Sequence, residues 1–345
     1  MMPNQEIARR QIPALLSREQ MLSVMLENVY GQMPPKPDEV HFDVGESLFS
    51  NFCAGKATCR RIVAHCKIGE KDFSFPFYAT LPTVPGKHPF FVHINFRPDV
   101  PDRYQPTEEL IDSGFAVLSF DYNDVTRDNC DLADGLAGVL YPNGKREKNG
   151  AGKIAMWAWA AHRVMDYAES LPDVLDLCRA VVCGHSRLGK TALLAAATDE
   201  RFAFAYSNDS GCAGAAITRE KEGENVRRIC EKFPYWFCEN YWEFADREPE
   251  MPFDQHFLVA SIAPRRVLIG SASEDLWADP SSEQLCCFAA SPMFERGFAC
   301  PDRYAEIGEA FLDGDIGYHL RRGKHYFSRE DWKRLIEFVK LHSCM

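Results

Sequence analysis

The sequence from Arg179 to Asp199, RAVVCGHSRLGKTALLAAATD, carries the most informative local pattern of the chain. An apolar run ends at Cys183, the segment Gly184 to Gly189 follows, and an alanine- and leucine-rich stretch begins at Lys190. This order predicts a strand, a sharp turn and a helix, with glycines where the two backbones nearly touch. The turn would hold the Ser186 hydroxyl at the positive end of the helix. Ser186 is therefore a candidate nucleophile, and the alternative is a serine that only caps the helix.

Short apolar runs alternate with helical patterns on both sides of this turn. The runs typical of buried strands are HPFFVHINF (88–96), FAVLSFDYND (115–124), FAFAYSND (202–209), RRVLIGSAS (265–273) and GYHLRRG (317–323). Amphipathic patterns at 154–171 and 328–342 predict long helices. Strand–helix alternation predicts a mostly parallel sheet that is covered on both faces. Together with the serine turn, it predicts the three-layer sandwich of an α/β-hydrolase.

The N-terminal part of the chain has a different pattern. Apolar residues recur at helical spacing from Leu15 to Val29, and Ser17 with Gln20 fits a capping box. The proline-rich segment 31–40 then breaks any helix. We expect residues 1–40 to form a helical lead-in packed on the body, and residues 41–345 to form one α/β-hydrolase domain. Alternating strands are predicted on either side of the turn Gly69 to Asp72.

A serine nucleophile needs a base, and the base needs an acid that orients it. In α/β-hydrolases the three follow in the order serine, acid, histidine. His325, in RRGKHYF after the last predicted strand, occupies the position of the base. Two acids compete for the third role, Asp275 in SASEDLWADP and Asp209 in SNDSG. Each follows a predicted strand, so the sequence leaves the choice open.

The residue after the nucleophile is expected to stabilise the oxyanion. In this turn it is Arg187, whose backbone N–H group would point at the developing negative charge. Its guanidinium group could add positive charge at the same place. The alternative for the side chain is a salt bridge on the first turn of the helix.

Charge narrows the range of partners. The 39 Lys and Arg residues against 50 Asp and Glu residues give a net charge of −11. A chain this acidic, without a dense basic block, is a poor candidate for binding nucleic acid or an anionic membrane. The short cluster of Arg321, Arg322 and Lys324 is interpreted as a solvated turn.

Thirteen cysteines are an unusual feature of this sequence. None of them forms a CxxC pair, so a zinc site is not predicted. The first 20 residues lack the features of a signal peptide, and no stretch has the roughly 20 apolar residues of a membrane span. We therefore expect a cytoplasmic protein with reduced thiols. Whether Cys212 and Cys238 pair is left open, as is the oligomeric state.

Several blocks of this sequence, in order, resemble the glucuronoyl esterases, carbohydrate esterase family 15. The resemblance runs from about residue 151 to 341, through GHSRLGKTALLAAATDERFAFAYSNDSGCAGAAITREKEGE, FPYWFCENY, FDQH, IAPRRVLIGSASEDLWADP and RRGKH. It implies ester hydrolysis by a serine triad without metal or cofactor, on esters of 4-O-methyl-glucuronic acid. It implies the triad Ser186, His325 and Asp275 or Asp209, with Arg187 at the oxyanion. It also implies that Lys190 contacts sugar hydroxyls and that Trp277 lines the sugar site.

The sequence departs from the family pattern around FPYWFC. Family members carry a glutamine before this segment and a glutamate after it, where this chain has Lys232 and Asn240. A pocket built on polar contacts discriminates strongly between substrates, so changed partners predict a changed substrate. The first hypothesis is hydrolysis of a carbohydrate-linked uronate ester. The alternatives are a carbohydrate deacetylase or other small-acyl esterase, and a catalytically silent binding module.

Overall fold

Ten strands form one sheet in the part of the chain that the structure, a computed structural model, describes (residues 2–342). Along the sheet they lie in the order β1-β2-β3-β5-β4-β6-β7-β8-β10-β9. The five pairings from β5 to β10 are parallel, whereas those of β1, β2 and β3 and that of β9 are antiparallel. The strands are β1 Glu39–Ser47, β2 Ala57–Ile68, β3 Lys71–Pro82, β4 His88–Asn95, β5 Ala116–Asp121, β6 Leu175–His185, β7 Phe204–Asn208, β8 Arg266–Ala272, β9 Ala310–Phe311 and β10 Ile316–Arg321.

Helices cover both faces of the sheet. Helices α6, α7, α9 and α10 pack side by side on one face, and α3 and α11 lie on the other. The α-helices are α1 Pro3–Arg9, α2 Arg18–Met25, α3 Thr107–Asp112, α4 Tyr122–Val125, α5 Gly135–Leu140, α6 Lys153–Glu169, α7 Arg187–Thr198, α8 Val226–Lys232, α9 His256–Ala260, α10 Pro280–Ala290 and α11 Arg329–Leu341.

The central strands are buried on both sides, as the apolar runs predict. In β6, Ala180 and Val182 belong to the larger core, whereas Val181 and Cys183 belong to the core under α11. Successive side chains of a strand point to opposite faces, so a strand between two layers must be apolar at every position. The result is the three-layer α/β-hydrolase fold. It gathers the loops that follow β6, β7, β8 and β10 at one edge of the sheet.

Residues 2–30 pack against the body of the molecule. Ser17 caps α2 through the backbone N–H of Gln20, as the S-x-x-Q pattern predicts. Met21 and Met25 are fully buried in the larger core. The Arg18 side chain reaches the carbonyl oxygen of Ser261 at 2.8 Å. Strand β1 was not predicted, because its side chains are mostly exposed and therefore give no apolar alternation.

The interpretation of the Arg321 cluster as a solvated turn is wrong for Arg321 itself. Its side chain is only 4% exposed and pairs with the buried carboxylates of Asp331 and Asp209. Arg322 and Lys324 lie on the exposed loop that follows. A charged residue at the end of a buried strand is tolerated because the carboxylates compensate its charge.

The twelve cysteines in residues 2–342 carry free thiols. Cys212 lies 3.9 Å from the Tyr241 hydroxyl, and Cys238 donates to the carbonyl oxygen of Glu27 at 3.5 Å, so the two do not pair. Among the described helices, none combines the length and the apolar character needed to cross a membrane.

Candidate active site

Ser186 occupies a strained turn between β6 and α7. Its backbone angles are φ 58° and ψ −125°, which side-chain-bearing residues rarely adopt. A Cβ atom on Gly184 would lie 2.3 Å from the carbonyl oxygen of Leu188, and one on Gly189 would lie 2.9 Å from Ser207 Oγ. Both glycines are therefore required by close backbone approach, which explains the G-x-S-x-x-G spacing. The Ser186 N–H group donates to the Asn208 carbonyl at 2.8 Å, which ties the turn to β7.

His325 and Asp275 form the closest histidine–acid contact at this edge of the sheet. His325 Nδ1 lies 2.6 Å from Asp275 Oδ2, a short distance that is typical of a charge-assisted hydrogen bond. The Asp275 side chain is 5% exposed and the His325 side chain 45% exposed. Ser186, His325 and Asp275 all line one cleft of about 320 Å³. The acid faces Nδ1, so Nε2 is the nitrogen that remains for the serine.

Asp209 lies beside this pair but has other partners. Its Oδ2 accepts from Arg321 Nη2 at 3.2 Å and from the Tyr326 N–H group at 3.3 Å. One of its carboxylate oxygens lies within 4.8 Å of a carboxylate oxygen of Asp275 and of a ring nitrogen of His325. Burial, and then the nearby carboxylate of Glu283, raise the pKa of Asp209 well above its usual range. The geometry therefore places Asp275 on the imidazole and Asp209 on the backbone of the loop that carries it.

Arg321 holds that loop in place. Its guanidinium group donates to the carbonyl oxygens of Lys324, at 3.1 Å, and of Tyr326, which are the neighbours of His325. Its Nε lies 2.7 Å from Asp331 Oδ2 at the start of α11. A planar guanidinium group with five donors can serve all these acceptors at once. This role was not predicted, because nothing in the sequence distinguishes Arg321 from its exposed neighbour.

The Arg187 side chain lies in the cleft, paired with Asp128. Its guanidinium group stacks on the Trp236 ring at 4.7 Å from the centroid. Asp128 also accepts from Trp236 Nε1 at 2.7 Å and from the Tyr122 hydroxyl at 3.0 Å. The ion pair considered as the alternative is present, with Asp128 as the partner, and it fixes the guanidinium group beside the nucleophile. Sequence reasoning missed Asp128, which lies 59 residues away from its partner.

Polar and aromatic side chains also line this cleft. Lys190 is almost fully buried and donates to the carbonyl oxygens of Cys212, at 2.7 Å, and of Ser210. Its burial lowers the pKa of this amine. Trp277 is 51% exposed and presents an apolar face. Lys232 lines the cleft as well, and its Nζ lies 5.2 Å from the centre of the Phe233 ring.

Two residues of this region differ from the sequence-based assignment. Asn240 does not line the cleft, because its amide donates to the Glu27 carbonyl at 2.9 Å and lies against the N-terminal segment. Glu224, which the sequence analysis did not single out, lines the cleft and is 8% exposed. Its backbone N–H group donates to the Trp277 carbonyl at 3.1 Å. A signal was available in the quoted sequence block that ends at Glu224, but only the fold brings that residue to the site.

These features define an α/β-hydrolase with the site of a serine esterase. A family model described as "Glucuronyl esterase, fungi" matches residues 65–296, and the chain belongs to the glucuronoyl esterase family. The family prediction from the sequence and the prediction of the fold are both confirmed. This family consists of carboxylic ester hydrolases of the carbohydrate esterase type.

Known relatives place the chain within this family. It is 41% identical over 240 residues to the carbohydrate esterase MZ0003 of an unknown prokaryotic organism, a match that covers 68% of this chain and 55% of the relative. It is 27% identical over 289 residues to the 4-O-methyl-glucuronoyl methylesterase of Schizophyllum commune, covering 81% of this chain and 67% of the relative. The chain thus spans about half to two thirds of the length of these curated relatives.

Solved structures match this chain over a larger share of both lengths. A promiscuous CE15 esterase from a marine bacterial metagenome superposes with a TM-score of 0.84 at 31% identity, covering 94% of this chain and 91% of that chain. The glucuronoyl esterase from Solibacter usitatus superposes with a TM-score of 0.86 at 29% identity, with the same coverage of both chains.

Proposed function

We propose that this protein hydrolyses a carbohydrate-linked uronate ester through an acyl-enzyme formed on Ser186. The observation that carries the proposal is the arrangement in one cleft of a strained serine and a histidine bonded to a buried acid. Relatives named as glucuronoyl esterases support the choice of a uronate ester.

The proposed reaction begins with proton transfer. His325 Nε2 takes the proton of the Ser186 hydroxyl while Oγ forms a bond to the ester carbonyl carbon. Asp275, bonded to Nδ1, stabilises the imidazolium ion that results. His325 then gives the proton to the oxygen of the leaving alcohol, which departs. A water molecule then gives a proton to His325 while its oxygen forms a bond to the carbonyl carbon of the acyl-enzyme. His325 returns this proton to Ser186 Oγ as the acyl–Oγ bond breaks, which releases the uronic acid.

Arg187 is the proposed stabiliser of the tetrahedral intermediate. Its guanidinium group is anchored by Asp128 and stacked on Trp236, so it is ordered before substrate arrives. A charge held in a partly buried site needs little reorganisation when the oxyanion forms, which makes it effective in lowering the barrier. The backbone N–H group of Arg187, at the start of α7, is the second proposed donor.

The sugar is proposed to contact the cleft residues Lys190, Glu224, Lys232 and Trp277. Lysine amines donate to sugar hydroxyls, and the Glu224 carboxylate accepts from them. The half-exposed Trp277 ring offers an apolar face for the sugar ring. These side chains favour a polyhydroxylated acyl group over a small acetyl group. With an acetyl group bound, their hydrogen-bonding groups would have no partner on the substrate.

A substrate panel tests this function. Initial rates would be compared on benzyl glucuronate, acetylated xylo-oligosaccharides and p-nitrophenyl acetate, with Ser186→Ala as the matched control. We expect the highest kcat/KM on the glucuronate ester and its loss in the variant. A clear preference for acetyl substrates would reject the uronate assignment. Failure of a fluorophosphonate probe to label the wild type, or equal labelling of Ser186→Ala, would reject the nucleophile.

A further inference from the structure

A second group of metal-binding side chains lies on the outer face of the antiparallel part of the sheet. His41 on β1 faces His65 on β2, directly across the strand pair. Asp43 is two residues further along β1 and therefore points to the same face. Donor atoms of these three side chains all lie within 4.8 Å of one another. The shallow cavity that His41 and His65 line, of about 320 Å³, shares no lining residue with the catalytic cleft.

The distances are close to those that a single transition-metal ion requires. Zinc binds histidine nitrogen and carboxylate oxygen at about 2.0–2.2 Å, so neighbouring donors around a tetrahedral ion lie about 3.3 Å apart. His65 Nε2 and Asp43 Oδ2 are 3.0 Å apart, already near this value. The His41 ring is stacked on His65 at 4.6 Å between centroids. Because His41 is exposed, a side-chain rotation can bring its nitrogen to the remaining position.

His65 also has the outer contact that metal-binding histidines usually have. Its Nδ1 lies 2.9 Å from Ser74 Oγ on β3. When a histidine binds a metal through one ring nitrogen, a hydrogen bond at the other nitrogen fixes the tautomer and the orientation of the ring. With the Nδ1 proton donated to Ser74, the Nε2 lone pair points toward Asp43 and the proposed ion. His65, in the middle of the three strands, is thus held by its neighbour on β3.

We propose that His41, His65 and Asp43 form a binding site for a divalent transition-metal ion of the zinc type. Two imidazoles and one carboxylate select such ions over Mg²⁺ and Ca²⁺, which prefer all-oxygen sites. A water molecule would complete the coordination. Since the ligands come from both strands, the bound ion would clamp the edge strand β1 to β2. The site is separate from the proposed ester hydrolysis and does not depend on it.

Metal titration of the whole chain tests this site. Protein freed of metal with EDTA would be titrated with Zn²⁺ by calorimetry at pH 7.5, and with Co²⁺ while its visible absorption is recorded. We expect one site per chain, with Co²⁺ bands typical of nitrogen ligands. His41→Ala and His65→Ala should each lower the affinity at least about 10-fold, and Ser74→Ala should lower it less. Zn²⁺ should raise the Tm of the wild type and leave that of the double variant His41→Ala/His65→Ala unchanged.

Two control variants separate this site from other histidines. His88→Ala removes a histidine outside the group and should bind Zn²⁺ as the wild type does. His325→Ala tests the catalytic cleft, where Asp209, Asp275 and His325 form another set of close donor atoms. Wild-type affinity in the double variant, or binding that is lost only in His325→Ala, would overturn the proposal. So would the absence of saturable Zn²⁺ binding to the wild type.

Discussion

The pair of acids near His325 gives the sharpest prediction. Asp275→Asn keeps the size of the side chain but replaces a carboxylate that lies 2.6 Å from His325 Nδ1. An amide in this position can donate its own N–H to Nδ1, which places the ring proton on Nε2. The imidazole then cannot accept the proton of Ser186. The same change at Asp209 would leave the Asp275–His325 contact intact.

The size of the effect follows from this geometry. Loss of the correct tautomer in a serine triad typically lowers kcat by about 10⁴-fold. At about 1.36 kcal/mol for each factor of ten, this corresponds to about 5.4 kcal/mol of transition-state stabilisation. Asp209→Asn can still accept from the Tyr326 N–H group and from Arg321 through its amide oxygen. We therefore expect a loss of no more than about 10-fold for this variant.

The assay is steady-state hydrolysis of benzyl glucuronate by both variants at several pH values. Thermal unfolding measured in parallel shows whether each variant is folded, since both carboxylates are buried. The expected result is a large fall in kcat for Asp275→Asn with little change in KM. A greater loss for Asp209→Asn than for Asp275→Asn, with both proteins folded, would refute the assignment of Asp275 as the acid that orients His325.

Three other predictions concern Arg321, Glu224 and a set of buried histidines. Arg321→Lys should lower kcat on benzyl glucuronate by about 10- to 100-fold at unchanged KM. The reason is that one lysine amine cannot donate to both loop carbonyls and to Asp331 together. A rise in KM alone would contradict this. Glu224→Gln should raise KM for the glucuronate ester by about 10-fold and leave p-nitrophenyl acetate hydrolysis unchanged. The reason is that a charged acceptor is lost only from the sugar contacts. Equal effects on both substrates would count against a role of Glu224 in binding the sugar. Burial lowers the pKa values of His93, His162 and His256 to about 4. Since the unfolded chain binds protons at these histidines from about pH 6.5, the free energy of unfolding should fall between pH 6.5 and pH 4, by up to about 3 kcal/mol for each histidine. Urea unfolding at pH 7, 6 and 5 measures this, and a constant free energy would exclude it.

Much of the nucleophile turn could be predicted from the sequence because its requirements are local. Gly184 is needed because a Cβ there would meet Leu188 in the turn itself, whereas a Cβ on Gly189 would meet Ser207 and Ser210, which the fold brings to the turn. The caps of α2 and α11 are local as well, since Ser17 and Ser328 bond to groups three residues away. The order of serine, acid and histidine is a regularity of the α/β-hydrolase fold, so it could be applied once that fold was predicted.

Other expectations remain predictions. The cytoplasmic location is one of them, because it depends on properties outside a single folded chain; the oligomeric state was left open. The assignment of Lys232 to the sugar site agrees with its position on the cleft wall, whereas Asn240 lies against the N-terminal segment. Its place relative to the FPYWFC segment suggested proximity to the sugar, but the short helical turn Glu239–Phe244 directs its amide away from the cleft.

The fold class, the family and the candidate serine, histidine and acids could be predicted from the order of the amino acids. Which acid meets His325 depends on the folded chain, because Asp209 and Asp275 both follow strands whose ends lie at the same edge of the sheet. A choice between two carboxylates depends on differences of an ångström, and these are set by how separate loops pack. The same holds for Arg321, Asp128 and Glu224. Each acts through a partner distant in the chain, and a contact of this kind exists only once the sheet has brought the loops together.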